Sequence, residues 1–73
     1  MNAYNFTVVV TKDEGGSFFA ICPALQGCYA NGETLEEALA VIENVIKMHI
    51  EDRLENGEVI PEEVYSSQLK IVV

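Results

Sequence analysis

The chain has 73 residues, of which 49% are hydrophobic and 22% are charged, a composition typical of a folded domain. Twelve acidic residues against four basic ones give a formal net charge of -8, which repels phosphate groups and argues against unaided nucleic-acid binding. A chain this short forms one domain and buries only about 60% of the surface that its unfolded form exposes, so we expect a partner subunit to add stability.

The sequence shows no targeting signal. No stretch reaches the roughly 18 consecutive apolar residues of a membrane span, and the first ten residues, MNAYNFTVVV, lack the features of a signal peptide. We therefore expect a cytoplasmic protein without membrane contact. Cys22 and Cys28 are the only cysteines, and their spacing matches neither a redox CxxC pair nor a zinc knuckle, so buried reduced thiols are expected.

Three short strands are predicted in the first half of the chain. From Tyr4 to Lys12 apolar and polar residues alternate with one break at Val9, which indicates a half-buried strand. The acids and glycines of DEGG then favour a tight reversal into a second strand, Ser17 to Cys22, that is apolar on both faces. After a proline-containing loop, a third strand is predicted from Cys28 to Ala30, before the Asn31-Gly32 turn.

A long amphipathic helix begins in the stretch GETLEEAL. Thr34 is placed to accept the backbone N–H of Glu37, whose carboxylate can reach back to the Thr34 N–H, which makes a capping box. Glu36 adds negative charge where the helix dipole favours it. An apolar stripe then continues for about five turns until Asn56-Gly57 provides a stop. The stripe consists of Leu35, Ala38, Leu39, Ile42, Val45, Ile46, Ile50 and Leu54.

A fourth strand is predicted at the end of the chain, where LKIVV places Leu69, Ile71 and Val73 on one face. The order β-β-β-α-β is an α+β fold, with three antiparallel strands and a fourth parallel to the first, because a strand after a crossover helix pairs most easily there. We expect residues 1–73 to form a single domain, with the long helix on one face of the sheet.

The single helix leaves the other face of the predicted sheet uncovered. The second strand is apolar on both faces, and Val9 and Val72 add to the uncovered side. We expect self-association to cover this face, as a dimer or higher oligomer. The alternative is that small apolar residues simply remain partly exposed, as they commonly do.

The residues with catalytic potential form no recognisable motif. His49 is the only histidine and lies beside the apolar stripe without a nucleophile signature, so we interpret it as part of the edge of the core. A metal-dependent nuclease built on Asp13, Glu14 and other acids is the remaining catalytic hypothesis, and the absence of acids from the first strand disfavours it. We therefore predict no enzyme activity, no metal site and no cofactor.

Nucleotide-binding signals are also absent from the sequence. The glycine spacing of a phosphate-binding loop does not occur, and the acids of DEGG would repel phosphate. The aromatic residues Phe18, Phe19 and Tyr29 are better explained by core packing than by base stacking, because a stacking sheet also needs a positively charged groove.

Three stretches taken together resemble the HicB-like antitoxin family: FAICPALQGCYANGETLEEAL, the amphipathic helix after it, and ENGEVIP. Each motif is weak alone, but their order and spacing are fairly specific and cover most of the chain. Gln26 departs from the family pattern, in which proline is usual. The matching positions are Pro23, Leu25, Gly27 and Cys28 in the loop, Gly32, Thr34, Glu36, Glu37 and Ala38 at the helix start, and Gly57, Glu58 and Pro61 after the helix.

The resemblance implies a partial ribonuclease H-like fold and a role as antitoxin to a small, basic, RNA-cleaving toxin of the HicA type. The acidic charge suits such a partner, whose catalytic surface would be masked. Many family members carry an additional DNA-binding domain, whereas this sequence ends at Val73, so we do not expect direct binding to an operator.

Two loop residues are the first candidates for contact with a partner. Asp13 and Glu14 are charged and lie in the predicted hairpin turn, although they also suit a purely structural role in shaping that turn. The second functional hypothesis is an orphan homo-oligomer of the same fold that binds another protein or a small ligand without catalysis. It predicts that no small basic reading frame lies beside the gene.

Overall fold

The computed structural model describes residues 3–73 and shows three strands followed by one helix. The first two residues of the predicted domain lie outside this range. Strand β1 spans Val9–Lys12, β2 spans Phe18–Ile21, β3 spans Tyr29–Gly32, and helix α1 spans Leu35–Glu55. The strands form one antiparallel sheet in the order β1-β2-β3. The α+β class and the order of these four elements are confirmed.

Strand β1 is shorter than the alternation of its side chains predicts. Val9 pairs with Ile21, which is the last residue of β2 before the chain turns into the loop at Pro23. The residues before Val9 therefore have no neighbouring strand to pair with. Tyr4 and Phe6 lie along the second half of α1 instead, where they line shallow clefts with helix residues.

The core lies between α1 and the face of the sheet that carries the even-numbered strand residues. Val10, Ala20 and Ala30 are aligned across the three strands, so one row of side chains points at the helix. Most buried side chains in this layer are small, which lets the helix approach the sheet closely. The buried cluster consists of Ala20, Cys22, Leu25, Cys28, Ala30, Ala38 and Ile42.

Both ends of α1 are fixed by hydrogen bonds that the sequence indicates. The Oγ1 atom of Thr34 accepts the backbone N–H of Glu37 at 3.1 Å, which forms one half of the predicted capping box. The return bond from the Thr34 N–H to the Glu37 carboxylate is absent from the hydrogen bonds of residues 3–73. At the other end Gly57 adopts a φ of 71°, and the N–H of Glu58 donates to the carbonyl of Arg53 at 2.7 Å. This is a Schellman motif, so the predicted stop is confirmed.

Strand β3 and helix α1 approach each other closely at Gly32. A Cβ atom added to this glycine would lie 2.5 Å from the backbone nitrogen of Ala38 and 2.9 Å from its Cα. The last residue of β3 therefore contacts the first turns of α1 backbone to backbone, without an intervening side chain. Only glycine leaves room for this contact.

The apolar stripe of α1 is buried over a shorter length than predicted. Ala38 and Ile42 are fully buried, and Val45 and Ile46 pack against the core. Leu54 is exposed, because the sheet beneath the helix is only four residues deep and the chain beyond β3 does not return to cover the last turns. Leu35 and Leu39 near the start of the helix are also exposed, at 42% each, so the predicted stripe is too wide there as well as too long at its end.

The predicted fourth strand is absent from the structure, so that part of the predicted fold is wrong. Residues 58–73 contain no helix or strand. The Glu63 carboxylate accepts hydrogen bonds from the N–H and Oγ1 of Thr7, which holds the chain at the start of β1. Beyond that point residues 7–10 and residues 66–68 line a common cleft of about 440 Å³, and no strand ladder joins them.

Replacing Gly32 with alanine is expected to destabilise the fold. The added methyl group meets backbone atoms that cannot move independently, so we expect the free energy of unfolding to fall by about 1–3 kcal/mol. Gly15→Ala is the matched control, because the nearest atom to its Cβ is the Asp13 Oδ1 at 3.4 Å, an ordinary contact. Urea denaturation of both variants measures the difference. Equal stability of the two variants would show that α1 does not pack closely against Gly32.

Candidate protein-binding surface

The face of the sheet that is turned away from α1 carries exposed apolar side chains. Val9, Ile21 and Tyr29 are aligned across the three strands, and Phe19 lies in the next row between Thr11 and Asn31. We call these six residues the outer sheet face. Since α1 contacts β2 and β3 on the opposite side, no helix or strand of residues 3–73 covers them.

The two aromatic rings of the outer sheet face lie next to each other. The ring centroids of Phe19 and Tyr29 are 5.9 Å apart at an interplanar angle of 38°. Phe19 is 36% exposed and Tyr29 is 57% exposed. Core packing was therefore the wrong explanation for these two residues. It holds for Phe18, whose neighbouring position in β2 puts it on the helix side, where it packs against the core.

The β1–β2 turn borders this face at one end, next to the row that contains Phe19. The backbone N–H of Asp13 donates to the carbonyl of Ser17 at 2.9 Å, and the Ser17 N–H donates to the Asp13 carboxylate at 3.0 Å. Gly16, with a φ of 90°, completes the reversal. The carboxylate of Asp13 therefore shapes the turn, whereas Glu14 is exposed and makes no side-chain hydrogen bond within residues 3–73.

The turn and the start of the helix are brought together at the same end of the sheet. A shallow cleft of about 280 Å³ lies between them and is lined by Asp13, Ser17, Asn31, Gly32, Glu33 and Glu37. Three acidic residues therefore line one depression. Sequence reasoning missed Glu33 because nothing in a linear pattern shows that the residue before the helix cap folds back towards the hairpin turn.

These carboxylates are not arranged as a metal site. Among residues 3–73, no group of three or more histidine, cysteine, aspartate or glutamate side chains is placed to hold a metal ion. His49 is half-buried on α1 and is not among the residues that line the acidic cleft. Within the same residues no helix combines the length and the apolar character that crossing a membrane requires.

The other residues singled out in the sequence divide into two groups. Leu25, Cys28, Gly32 and Ala38 are buried and serve the packing of the loop and the helix. The remaining motif positions lie at the surface or half-buried at turns and caps: Pro23, Gly27, Thr34, Glu36, Glu37, Gly57, Glu58 and Pro61. The structure does not gather this second group into one site.

The two cysteines form part of the core. Cys22 and Cys28 are free and buried, and the Cys22 N–H donates to the Cys28 carbonyl at 3.0 Å. Burial raises the pKa of both thiols, because the charged thiolate is poorly solvated there. For Cys28 the neighbouring Cys22 raises the pKa further. Both residues therefore favour the inert thiol form.

Comparison with known proteins identifies the family. Residues 6–71 match the sequence profile of the HicB-like antitoxins of bacterial toxin–antitoxin systems. The chain belongs to the HicB-like antitoxin family. The resemblance that the loop, helix-start and exit motifs indicate is thus confirmed, and with it the placement of the chain among antitoxins.

Several relatives are similar to this HicB-like chain along most of their length. A UPF0150 protein of Synechocystis is 38% identical over 60 residues, which cover 82% of this chain and 76% of that protein. A UPF0150 protein of Thermoplasma acidophilum is 43% identical over 56 residues, which cover 77% and 81%. The crystal structure of the N-terminal domain of the Burkholderia pseudomallei antitoxin HicB matches with a TM-score of 0.74 and 28% identity, over 84% of this chain and 72% of that one.

The two acids of the hairpin turn are expected to differ in their effect on stability. Asp13→Ala removes the acceptor of the Ser17 N–H, so the free energy of unfolding should fall by roughly 0.5–1.5 kcal/mol. Glu14→Ala removes the same charge and no hydrogen bond, so it should leave stability unchanged. Thermal denaturation of both variants tests this, and an equal effect would mean that Asp13 does not organise the turn.

The cysteines are expected to react slowly in the folded protein. Since only the thiolate attacks a disulfide reagent, a raised pKa and burial both lower the rate at pH 8. Titration with Ellman's reagent in native buffer should be slow, and the same titration in guanidinium should be fast for both thiols. Rapid reaction of either thiol without denaturant would contradict the burial of the pair.

Proposed function

We propose that this HicB-like chain is the antitoxin of a toxin–antitoxin pair and that it binds and masks a small, basic, RNA-cleaving toxin of the HicA type. The observation that carries the proposal is the outer sheet face. It is an uncovered apolar surface that ends at an acidic turn, on a chain with a net charge of -8. Membership of the antitoxin family supports the same function.

The apolar part of this surface supplies contact area. Exposed aromatic pairs are typical of the centre of protein interfaces, where a few large side chains provide most of the binding free energy. Phe19 and Tyr29 form such a pair, and Val9 extends it across the sheet. The strands hold these residues in fixed positions, so docking costs little conformational entropy.

The acidic part of the surface supplies charge of the sign that a basic toxin requires. Asp13, Glu33 and Glu37 face one cleft, and Glu14 projects from the adjoining turn. A ribonuclease binds the phosphates of RNA through positive side chains, and these carboxylates present the same sign of charge as those phosphates. Negative charge also accelerates the encounter with a basic partner.

Inhibition by this mechanism needs no reaction. The antitoxin occupies the surface of the toxin where RNA binds, so it acts sterically and electrostatically and contributes no catalytic group, metal or cofactor. Its own charge keeps it away from nucleic acid, and the complex forms in the cytoplasm, where the RNA is. The competing proposal is an orphan homo-oligomer, in which a second copy covers the outer sheet face in place of a toxin.

The direct test combines binding with inhibition. The small basic protein encoded beside this gene is co-expressed with it and purified, and RNA cleavage by that protein is measured with and without this chain. We expect a stable complex and loss of cleavage. The absence of such a neighbour, or cleavage that continues in an excess of this chain, would favour the orphan homo-oligomer.

Substitution of the outer sheet face is expected to weaken this inhibition. Tyr29→Lys places a positive charge against a basic partner and removes an aromatic contact, so we expect at least about a tenfold loss of toxin affinity. Met48→Lys is the matched control, because Met48 lies on α1, is 61% exposed and undergoes the same change of charge.

The comparison of these two variants separates local contact from overall charge. Both have the same net charge, so any difference between them comes from the position of the substitution. Isothermal titration calorimetry with the toxin measures the affinities, and circular dichroism checks that both variants are folded. Equal affinities would show that the toxin binds elsewhere on the chain.

A further inference from the structure

The last five residues of the chain, Leu69 to Val73, are apolar apart from one lysine and lie in solvent. Leu69 is 80% exposed and Ile71 is 73% exposed. In an extended strand Leu69, Ile71 and Val73 would lie on the same side, because successive side chains point to opposite faces. A short segment with high β propensity, one charge and no proline readily pairs with a free strand edge. We call residues 69–73 the terminal segment.

Strand β1 offers such an edge. It is the first strand in the order β1-β2-β3 and pairs only with β2 among the strands of residues 3–73. Its outer side therefore presents N–H and C=O groups that have no ladder partner. Free strand edges are sites of pairing with another chain unless something covers them.

The path of the chain keeps the terminal segment from covering this edge in its own molecule. Glu63 is bound to Thr7 at 2.8 and 2.7 Å, and residues 66–68 face residues 7–10 across the cleft. The chain thus advances alongside β1 in the same direction, with polar residues at the cleft. Only Thr11 and Lys12 of β1 remain beyond this point, so too little of the strand is left for a five-residue segment to pair along it in the same direction.

The dimensions of the molecule agree with an unpacked terminal segment. The radius of gyration is 13.9 Å, compared with about 11 Å for a compact domain of this length. Each molecule carries both halves of a possible pairing, namely the free edge of β1 and the exposed terminal segment. A second copy of the chain satisfies both groups at once through a two-fold exchange, whereas an unrelated protein that binds one of them leaves the other exposed.

We propose that two copies of this chain exchange their terminal segments, so that residues 69–73 of each copy form a fourth strand on the free edge of β1 in the other. Glu63 remains bound to Thr7 of its own chain, and residues 64–68 form the crossing connection. The exchange uses the edge of the sheet and not the outer sheet face. It therefore stands independently of the proposed antitoxin function.

The oligomeric state of two matched variants tests the exchange. Ile71→Asp places a charge in the terminal segment, whereas Val64→Asp places the same charge at a residue that is 99% exposed and lies before it. We expect the wild type and Val64→Asp to be dimers by analytical ultracentrifugation. For Ile71→Asp we expect the dissociation constant of the dimer to rise by at least about a hundredfold. Both segments of the dimer carry the substitution, and each lost apolar contact raises that constant by roughly tenfold.

A second measurement distinguishes exchange from pairing within one chain. A dimer prepared from a mixture of ¹⁵N-labelled and ¹³C-labelled chains should show isotope-filtered NOEs between residues 69–73 of one label and residues 9–12 of the other. A monomeric wild type would overturn the proposal, as would a dimer in which these NOEs connect residues of the same chain only. A dimer that Ile71→Asp leaves intact and Tyr29→Lys dissociates would assign the interface to the outer sheet face instead.

Discussion

The contact between Gly32 and the backbone of Ala38 sets the position of the helix on the sheet, and most other features of the molecule depend on it. Because no side chain separates the end of β3 from the first turns of α1, the helix lies low across β2 and β3. The core beneath it is accordingly built mostly from alanines and cysteines, together with Leu25 and Ile42. Larger residues in this layer would push the helix away from the sheet.

A helix seated on one face leaves the other face of the sheet without cover. In a larger protein a second layer would pack there, but this chain has no further helix or strand among its described residues to supply one. The same geometry brings the hairpin turn and the start of α1 to one end of the sheet, so apolar and acidic surfaces adjoin. The antitoxin function that we propose uses this adjacency, since contact area and charge are offered to a partner together.

The acidic residues of the chain serve different purposes. The carboxylate of Asp13 holds the turn, and that of Glu63 holds the returning chain against Thr7, where two hydrogen bonds lower its pKa. Glu14 and Glu33 have exposed side chains and contribute to the surface charge. A count of acids in the sequence does not separate these groups, because the distinction rests on which backbone donors the fold brings within reach.

The sequence by itself determined the local elements and the family. The capping threonine, the glycine stop and the acids and glycines of DEGG act between neighbours in the chain, so the helix bounds and the reversal at DEGG followed from them. Only the tertiary structure decided the rest. Pairing of LKIVV with β1 depended on where Glu63 anchors the chain, the exposure of Phe19 and Tyr29 depended on which face the helix took, and the acidic cleft depended on Glu33 lying opposite the hairpin turn. These are contacts between residues far apart in the chain, and local propensity carries no information about their distances.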